Sequence, residues 1–424
     1  MSGHSREPER PRSRMPGSTR RPNYLLRRLT VFGAAALVLA VGSYLPITLL
    51  APLTPVAAVA QQVKPPVPPA AELAWPGYGA SAIGAIGFPS TLASDGATAP
   101  LPIASITKII TSLVVLDAKP LAMGAPGPTI TFTAKDAALV KEYRARNGTT
   151  APAVAGMRLS QLEVNEIMLI ASANNYAESY ATWAFGSEAG FLDAARAWLT
   201  AQGFRHTTLL DSSGMNPGNQ STASDLVAIG KLALANPVIA GIVSTKELSV
   251  PGIGTIKNSN KLLGHDGVDG IKTGTLEEAG ACLLFSTKFT VSSHSVTVVG
   301  VVLGGADHAS LDAAVQRLIA SAKAGFHEVT LAKAGQSFGA YTTAWKTSAR
   351  AVATQGRSVL VWGSTPITAT VDAAPIGLAR AGTPVGSVKF TVGGTTISVP
   401  LELDKSVEDP GALWRLGNPM GLAG

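Results

Sequence analysis

The sequence has few cysteines and few charged residues. Its single cysteine, Cys282, excludes an intrachain disulfide. The six histidines form no H-E-x-x-H motif and there are no paired cysteines, so we expect neither a metal site nor a cofactor. Only 14% of the residues are charged and 46% are hydrophobic, with 44 glycines and 28 prolines. This composition is typical of a packed, turn-rich protein rather than a disordered chain.

The positive charge is concentrated at the N-terminus. The formal net charge of the chain is +7, and residues 1–28 contain eight arginines and two glutamates, which amounts to +6. The remaining residues are therefore near neutrality, at +1. A basic surface of the kind that binds nucleic acid is not expected.

Charged residues are also missing from Leu29 to Val63, directly after this basic tail. A basic segment followed by about 20 apolar residues indicates a signal anchor or a signal peptide. We favour an uncleaved transmembrane anchor at 29–53, with residues 1–28 as a disordered cytoplasmic tail and the rest of the chain extracytoplasmic. Ala58-Val59-Ala60 resembles a signal-peptidase site, so cleavage and secretion stay open as the alternative.

The rest of the chain divides into three parts. Residues 54–72 are Pro-rich, which predicts a semi-rigid linker. Residues 73–328 combine helical and strand patterns and contain every candidate site residue. Residues 329–424 are β-prone, with Gly and Thr turns, and predict a small all-β domain without reactive groups. The C-terminus lacks the basic amphipathic helix that would anchor it to a membrane.

Periodicity within 73–328 predicts an α+β fold. Short strands at 80–88 and 94–97 come first, and strands at 282–287 and 295–303 come late. Helical patterns lie between and after them, at 137–147, 159–171, 176–184, 190–202, 225–235, 236–244 and 309–326. This order predicts a helical subdomain inserted between the strands of one antiparallel sheet.

The first candidate for a reactive site is the stretch Ser105-Ile106-Thr107-Lys108. If a helix begins near Ser105, the spacing of three residues places its hydroxyl and the Lys108 amine on one face. The helix N-terminus adds unpaired N–H groups near the hydroxyl. A serine, a base and amides for an oxyanion are the parts of a serine nucleophile, although this pattern alone is common.

Two later motifs supply further parts of such a site. Ser172-Ala173-Asn174 lies in a predicted loop between helices and provides a hydroxyl and an amide. Lys272-Thr273-Gly274-Thr275 opens the strand region and provides a second amine, with a glycine that lets a substrate approach a strand edge.

The three motifs in this order resemble those of penicillin-binding proteins and serine β-lactamases. Three longer segments resemble the low-molecular-weight D-alanyl-D-alanine carboxypeptidases: 102–108, 211–216 and 269–274. The resemblance covers about residues 75–325. It implies a β-lactamase/penicillin-binding transpeptidase-like domain and a bacterial, cell-wall function.

The resemblance also implies the role of each residue. Ser105 attacks the carbonyl between the two D-alanines of a peptidoglycan stem peptide, Lys108 acts as base, and Ser172 relays a proton. The remaining motif residues bind substrate: Asn174 holds its amide and orients Lys108, Lys272 and Thr273 receive its terminal carboxylate, Gly274 allows close approach, and Thr275 shares the oxyanion hole with Ser105. β-Lactams are expected to be covalent inhibitors.

The sequence departs from the family pattern at one place, and several alternative functions stay open. The region after the last strand, Gly304 to His308, contains no arginine for the substrate carboxylate, so Lys272 and Thr273 carry more of that task or His308 contributes. A DD-endopeptidase or transpeptidase is possible on the same scaffold. A β-lactamase is disfavoured because Phe204 to Asn219 contains no glutamate. An inactive wall-binding protein is the remaining alternative.

Overall fold

A long apolar helix is the first element of the structure, a computed structural model that describes Met1 and residues 23–89 and 91–422. Helix α1, Tyr24–Leu50, is long and apolar enough to cross a membrane, and most of its side chains are exposed. It begins five residues before the predicted anchor, so Arg27 and Arg28 lie in its first two turns. Most of the predicted basic tail, residues 2–22, lies outside the described residues.

A five-stranded antiparallel sheet forms the centre of the next part of the chain. After β1, Val59–Ala60, the strands of this part are β2 Ala80–Ala85, β3 Ala93–Gly96, β4 Leu101–Pro102, β5 Thr129–Thr131, β6 Arg158–Ser160, β7 Gln220–Ser221, β8 Glu247–Val250, β9 Gly254–Lys257, β10 Val268–Leu276, β11 Gly280–Val291 and β12 His294–Gly305. The strands of the central sheet have the order β10-β11-β12-β2-β3.

Helices cover both faces of this sheet. They are α2 Thr107–Ala118, α3 Ala134–Ala145, α4 Gln161–Ile170, α5 Asn174–Phe185, α6 Glu188–Gln202, α7 Ala223–Ala235, α8 Pro237–Val243 and α9 His308–Ala324. Because successive strand residues face opposite sides, β12 places Val299 and Val301 in the core shared with α2 and α7. Its Val298 and Val302 face the core shared with α9.

Side-chain caps set several helix boundaries. Helix α3 begins three residues before the predicted start, because Thr133 and Asp136 form a capping box. Helix α8 begins at Pro237, and the Asn236 side chain accepts from the N–H groups of Val238 and Ile239. These caps involve short polar residues that the hydrophobic period does not report.

The C-terminal part is β-rich, as its composition predicts. Strands β13 Phe326–Ala332 and β16 Arg357–Trp362 form a pair, and a six-stranded sheet has the order β1-β14-β15-β19-β18-β17. The other strands are β14 Ser337–Thr342, β15 Ser348–Ala353, β17 Ile367–Ala373, β18 Pro384–Val392 and β19 Thr395–Leu403. Strand β13 crosses the predicted boundary at 328/329, because Phe326 packs in the core that contains α9.

The segment predicted as a spacer is in part a strand of the C-terminal sheet. Strand β1 pairs with β14 through Val59 and Ala60, opposite Ala340 and Gly339. Val56 also exchanges backbone hydrogen bonds of 2.7 and 2.9 Å with Ile376. The prediction of a linker failed here because backbone pairing in a short edge strand needs no hydrophobic pattern of its own.

Candidate active site

Ser105 lies in a 3₁₀ turn, Ala104–Ile106, that leads directly into α2. The sequence predicts an α-helical start near Ser105, and the structure differs only in this tighter first turn. Helix α2 runs through the middle of the fold, so every residue from Thr107 to Leu116 is buried. Ser105 is half-buried and faces a cavity, whereas Lys108 is 0% exposed.

The Lys108 amine has three polar neighbours. Its Nζ lies 2.8 Å from Ser105 Oγ, 2.6 Å from Asn174 Oδ1 and 2.6 Å from the Ser213 carbonyl oxygen. The last two atoms are acceptors only, so they take two N–H groups of the amine. In the neutral amine the third position is a lone pair, and it points to the Ser105 hydroxyl. This is the geometry of a general base beside its nucleophile.

Burial lowers the pKa of Lys108 well below its ordinary value of 10.5. The nearby Lys272 amine lowers it further, and the Asp211 carboxylate opposes both effects. Burial disfavours the charged form of an amine because the surrounding apolar groups cannot solvate the charge. The position of Lys108 in the first buried turn of α2 therefore does more for its neutrality than Lys272 does.

The second motif lies at the start of α5. Asn174 is the first residue of that helix, and its backbone N–H donates to the Thr149 carbonyl at 2.8 Å. A Cβ at Gly148 would lie 2.7 Å from Asn174 Nδ2 and 3.0 Å from the Tyr143 carbonyl oxygen, so only glycine fits there. Ser172 has a left-handed backbone, with φ of 58°, and faces the same cavity as Ser105.

The third motif forms part of β10, an edge strand of the central sheet. A Cβ at Gly274 would lie 2.9 Å from the Ile103 carbonyl oxygen, so glycine allows this strand to pack against the turn that carries Ser105. The Thr273 and Ser259 hydroxyls lie 2.5 Å apart. Lys272 is only 2% exposed and donates to the Thr273 carbonyl at 3.2 Å. Burial lowers the pKa of Lys272 from 10.5 to about 7.

The three motifs meet at a cavity of about 200 Å³. Four predicted site residues line it: Ser105, Ser172, Thr273 and Thr275. Lys108, Asn174, Lys272 and Gly274 are buried around it. Residues that the motifs do not include also line the cavity: Thr149, Ala171, Ser259, Lys261, His308 and Asp312. His308 Nε2 lies 2.6 Å from Thr275 Oγ1, which places this histidine at the site.

A family model described as D-alanyl-D-alanine carboxypeptidase, peptidase family S11, matches residues 90–307. The chain belongs to this family. The matched residues include all three motifs, and S11 enzymes are serine peptidases, so the chain is a hydrolase of the penicillin-binding type. The serine-peptidase prediction from the motifs is thereby confirmed at the level of the family.

Two curated relatives illustrate the sequence similarity. A D-alanyl-D-alanine endopeptidase of Pseudomonas aeruginosa is 28% identical over 208 residues, which are 47% of this chain and 63% of that protein. The D-alanyl-D-alanine carboxypeptidase DacF of Bacillus subtilis is 26% identical over 223 residues, 51% of this chain and 54% of that protein. The chain thus spans less than two thirds of either relative.

Solved structures show the same fold. Penicillin-binding protein 5 of Haemophilus influenzae superposes with a TM-score of 0.57 at 20% identity, covering 82% of this chain and all of that chain. The Streptomyces K15 DD-transpeptidase gives a TM-score of 0.52 at 23% identity, covering 62% of this chain and all of that one. The predicted α+β transpeptidase-like fold is confirmed.

The motifs missed one part of this S11 site, the loop that carries the Ser213 carbonyl. The Asp211 carboxylate accepts from the N–H groups of Ser213, Gly214 and Asn216, at 2.5 to 2.8 Å. These three hydrogen bonds brace the loop. The closely spaced Asp, Ser, Gly and Asn of 211–216 are typical of such a turn, but they do not show that one carbonyl reaches Lys108.

Glu188, at the start of α6, is the second missed residue. Its carboxylate accepts from the Ser212 N–H at 2.6 Å and from the Ser212 hydroxyl at 3.0 Å. The Ser212 carbonyl in turn accepts from the Thr111 hydroxyl at 2.7 Å. Burial raises the pKa of Glu188 from 4.5 to about 7. Glu188 therefore holds the residue that precedes the carbonyl partner of Lys108.

Proposed function

We propose that the protein is a serine-type D-Ala-D-Ala carboxypeptidase that removes the terminal D-alanine of peptidoglycan stem peptides. The observation that carries the proposal is the Lys108 amine, buried and 2.8 Å from Ser105 Oγ, with acceptors on its other two sides. An inactive wall-binding protein needs no such arrangement, because a buried amine of lowered pKa costs stability and serves no packing purpose.

Acylation begins at Ser105. Its Oγ bonds to the carbonyl carbon between the two D-alanines while its proton passes to Lys108 Nζ. The backbone N–H groups of Ser105 and Thr275 stabilise the oxyanion. The C–N bond to the last D-alanine then breaks, and the departing amine takes a proton through the Ser172 hydroxyl, which faces the same cavity. Asn174 keeps Lys108 in place and binds the substrate amide.

The substrate carboxylate binds beside β10. The hydroxyls of Thr273 and Ser259 line the cavity there, and the Lys272 amine lies behind them as a buried source of positive charge. Lys261 and His308 add further cationic or donor groups at the rim. A binding subsite for a carboxylate favours peptides whose C-terminus lies next to the scissile bond. Its groups take the place of the arginine that the region from Gly304 to His308 lacks.

Water completes the reaction by attacking the ester on Ser105, which releases the shortened peptide and restores the hydroxyl. β-Lactams acylate the same serine, and the resulting acyl-enzyme is hydrolysed slowly. The only carboxylate of the segment from Phe204 to Asn219 is Asp211, and the N–H groups of its own loop occupy it. Asp211 is therefore poorly placed to activate a water for rapid β-lactam hydrolysis.

An endopeptidase that cuts cross-links is the second candidate, because the P. aeruginosa relative and one from Escherichia coli, 27% identical over 193 residues, carry that name. The two activities differ in the group that follows the scissile bond. A carboxypeptidase binds a free D-alanine carboxylate there, and an endopeptidase accepts a cross-linked peptide.

We further propose that α1 is a retained anchor and that the catalytic part lies outside the cytoplasm. The two arginines at the start of α1 favour a cytoplasmic N-terminus. Cleavage after Ala60 would remove β1 from the edge of the C-terminal sheet, where it pairs with β14. Mass spectrometry of the membrane-extracted protein tests this: an intact N-terminal segment is expected, and a mature chain starting after Ala60 contradicts it.

The decisive experiment for the activity compares two substrates with the purified full chain. We expect release of free D-alanine from diacetyl-Lys-D-Ala-D-Ala, and no release by Ser105→Ala. A cross-linked muropeptide dimer in a parallel reaction measures endopeptidase activity. Faster cleavage of the dimer than of the tripeptide would replace the carboxypeptidase proposal by the endopeptidase, and no cleavage of either would refute both.

A further inference from the structure

The C-terminal segment 411–422 packs against the last two turns of α1. It contains a short helix, α10 Ala412–Gly417, and a 3₁₀ turn, Pro419–Gly421. The Tyr44 hydroxyl of α1 donates to the Leu416 carbonyl at 2.6 Å, and Arg415 Nη1 donates to the Ala51 carbonyl at 2.7 Å. The sequence predicted no membrane contact for this part of the chain, so its position beside the candidate anchor was not foreseen.

Further contacts fix the segment at the end of α1. Leu53 and Leu422 form a backbone bridge, and Leu53 is 7% exposed. Thr48 is 2% exposed, whereas most of α1 is exposed. The C-terminal segment thus shields one side of α1 at the residues where the helix ends. The rest of the helix has no such cover and stays exposed.

The surface of segment 411–422 is apolar where it faces away from the protein. Leu413 is 89% exposed and Met420 is 96% exposed. The charge of the segment points inward instead, because Arg415 is 8% exposed and binds the Asp409 carboxylate through Nε at 3.1 Å. Two large apolar side chains in water, beside a paired arginine, are unfavourable unless something covers them.

The length of α1 relates these side chains to a membrane boundary. A hydrocarbon core of about 30 Å takes about 20 helical residues, so a span that begins after Arg28 reaches about residue 48. The contacts with segment 411–422 lie at residues 44 to 54, which is the far boundary of that span. Tyr44 and Trp414, which packs edge-on against Trp345, are aromatic residues of the kind that concentrate at this boundary.

We propose that segment 411–422 lies in the outer membrane–water interface beside α1, with Leu413 and Met420 in contact with lipid. The inference rests on the proposed anchor and adds to it. The C-terminal sheet is then attached to the membrane at two adjoining points, and its orientation relative to the bilayer is fixed. A single helix with a flexible linker would leave that orientation free.

Spin labels on the full chain in phosphatidylethanolamine/phosphatidylglycerol vesicles test the inference. Leu413→Cys and Met420→Cys change fully exposed side chains, and the native Cys282 is 0% exposed, so it does not react. Ala35→Cys in the middle of α1 is the lipid control. Thr395→Cys, an exposed residue at the start of β19, is the water control.

We expect labels at 413 and 420 to behave as the label at 35 does, with higher accessibility to oxygen than to a water-soluble nickel chelate. Labels at 413 and 420 that match position 395 while position 35 is in lipid would overturn the inference and leave the anchor intact. Low accessibility to both reagents would also overturn it, because it indicates burial against protein. A water-exposed label at 35 refutes the anchor itself. None of these outcomes bears on D-alanine release.

Discussion

Glu188→Gln tests whether the loop that carries the Ser213 carbonyl controls Lys108, the proposed base. Glutamine keeps an acceptor for the Ser212 N–H but removes the charge from the pair of bonds at 2.6 and 3.0 Å. A charge-assisted hydrogen bond is stronger than a neutral one by roughly 1 to 1.5 kcal/mol. If that difference is transmitted to the contact between Lys108 and Ser213, the acylation rate falls about tenfold.

The size of the effect depends on pH because the pKa of Glu188 is about 7. Below pH 7 the wild-type carboxyl is protonated in the folded protein and resembles glutamine, so the two rates converge. Above pH 7 the wild-type carboxylate is charged, so the rates separate. The ratio of wild-type to variant rate is therefore expected to rise from about 2 at pH 6 to about 9 at pH 8.

Stability changes in the opposite sense. The folded pKa of Glu188, about 7, is above its ordinary value of 4.5, so its favourable contribution is complete below pH 4.5 and is lost as pH rises through 7. At about 1.4 kcal/mol per pH unit, the variant gains roughly 3 kcal/mol relative to the wild type between pH 4 and 8. Urea unfolding at several pH values measures this difference.

The rate assay is the second-order acylation by a fluorescent penicillin, followed from pH 6 to 8. Glu163→Gln is the matched control, because the Glu163 carboxylate also accepts from a serine N–H and hydroxyl, both at 2.7 Å, in the capping box of α4. It has no contact with the Ser213 loop. A rate ratio for Glu188→Gln that does not vary with pH, or that equals the ratio for the control, would refute the reasoning.

Three further predictions concern the same site. Lys108→Arg is expected to fold but to lose at least 10³-fold in acylation rate, because guanidinium stays protonated; near-normal acylation by the penicillin would exclude Lys108 as base. The pKa of Lys272 is about 7, so its amine loses its positive charge above pH 7, and kcat/KM for a peptide with a free carboxylate should fall there. This decrease should be missing in Lys272→Gln; a decrease that persists in the variant belongs to another group. Gly148→Ala should displace Asn174, since the new Cβ would lie 2.7 Å from its Nδ2, and so slow acylation about 10²-fold. Gly377→Ala is the control, because Gly377 likewise has no positive φ and its new Cβ would meet no atom within 4 Å; equal losses in the two variants would deny the contact a role.

The sequence predicted those parts of the site that short motifs carry. Ser105 and Lys108 are three residues apart, so helical geometry alone brings them together. The neighbours Asn174 and Lys272 are distant in sequence, and only the resemblance to a family suggested their proximity. The structure brings all eight motif residues to one cavity or its walls.

The parts that were not predicted depend on the backbone. The third partner of Lys108 is a carbonyl, and every residue has one, so no residue type could identify Ser213. The same reason explains why strand β1 was not predicted within the linker, since it pairs through backbone groups of Val59 and Ala60. The dominance of burial over Lys272 in lowering the pKa of Lys108 required knowledge of how deeply α2 is packed.

Peptide mapping of the penicillin-labelled protein tests the central claim, that Ser105 is a nucleophile activated by the neutral amine of Lys108. The full chain is incubated with a penicillin and digested, and the modified residue is located by mass spectrometry. We predict one adduct on Ser105 and none in Ser105→Ala, with the variant folded as judged by circular dichroism. An adduct on another residue, or labelling that survives in the folded variant, would contradict the account.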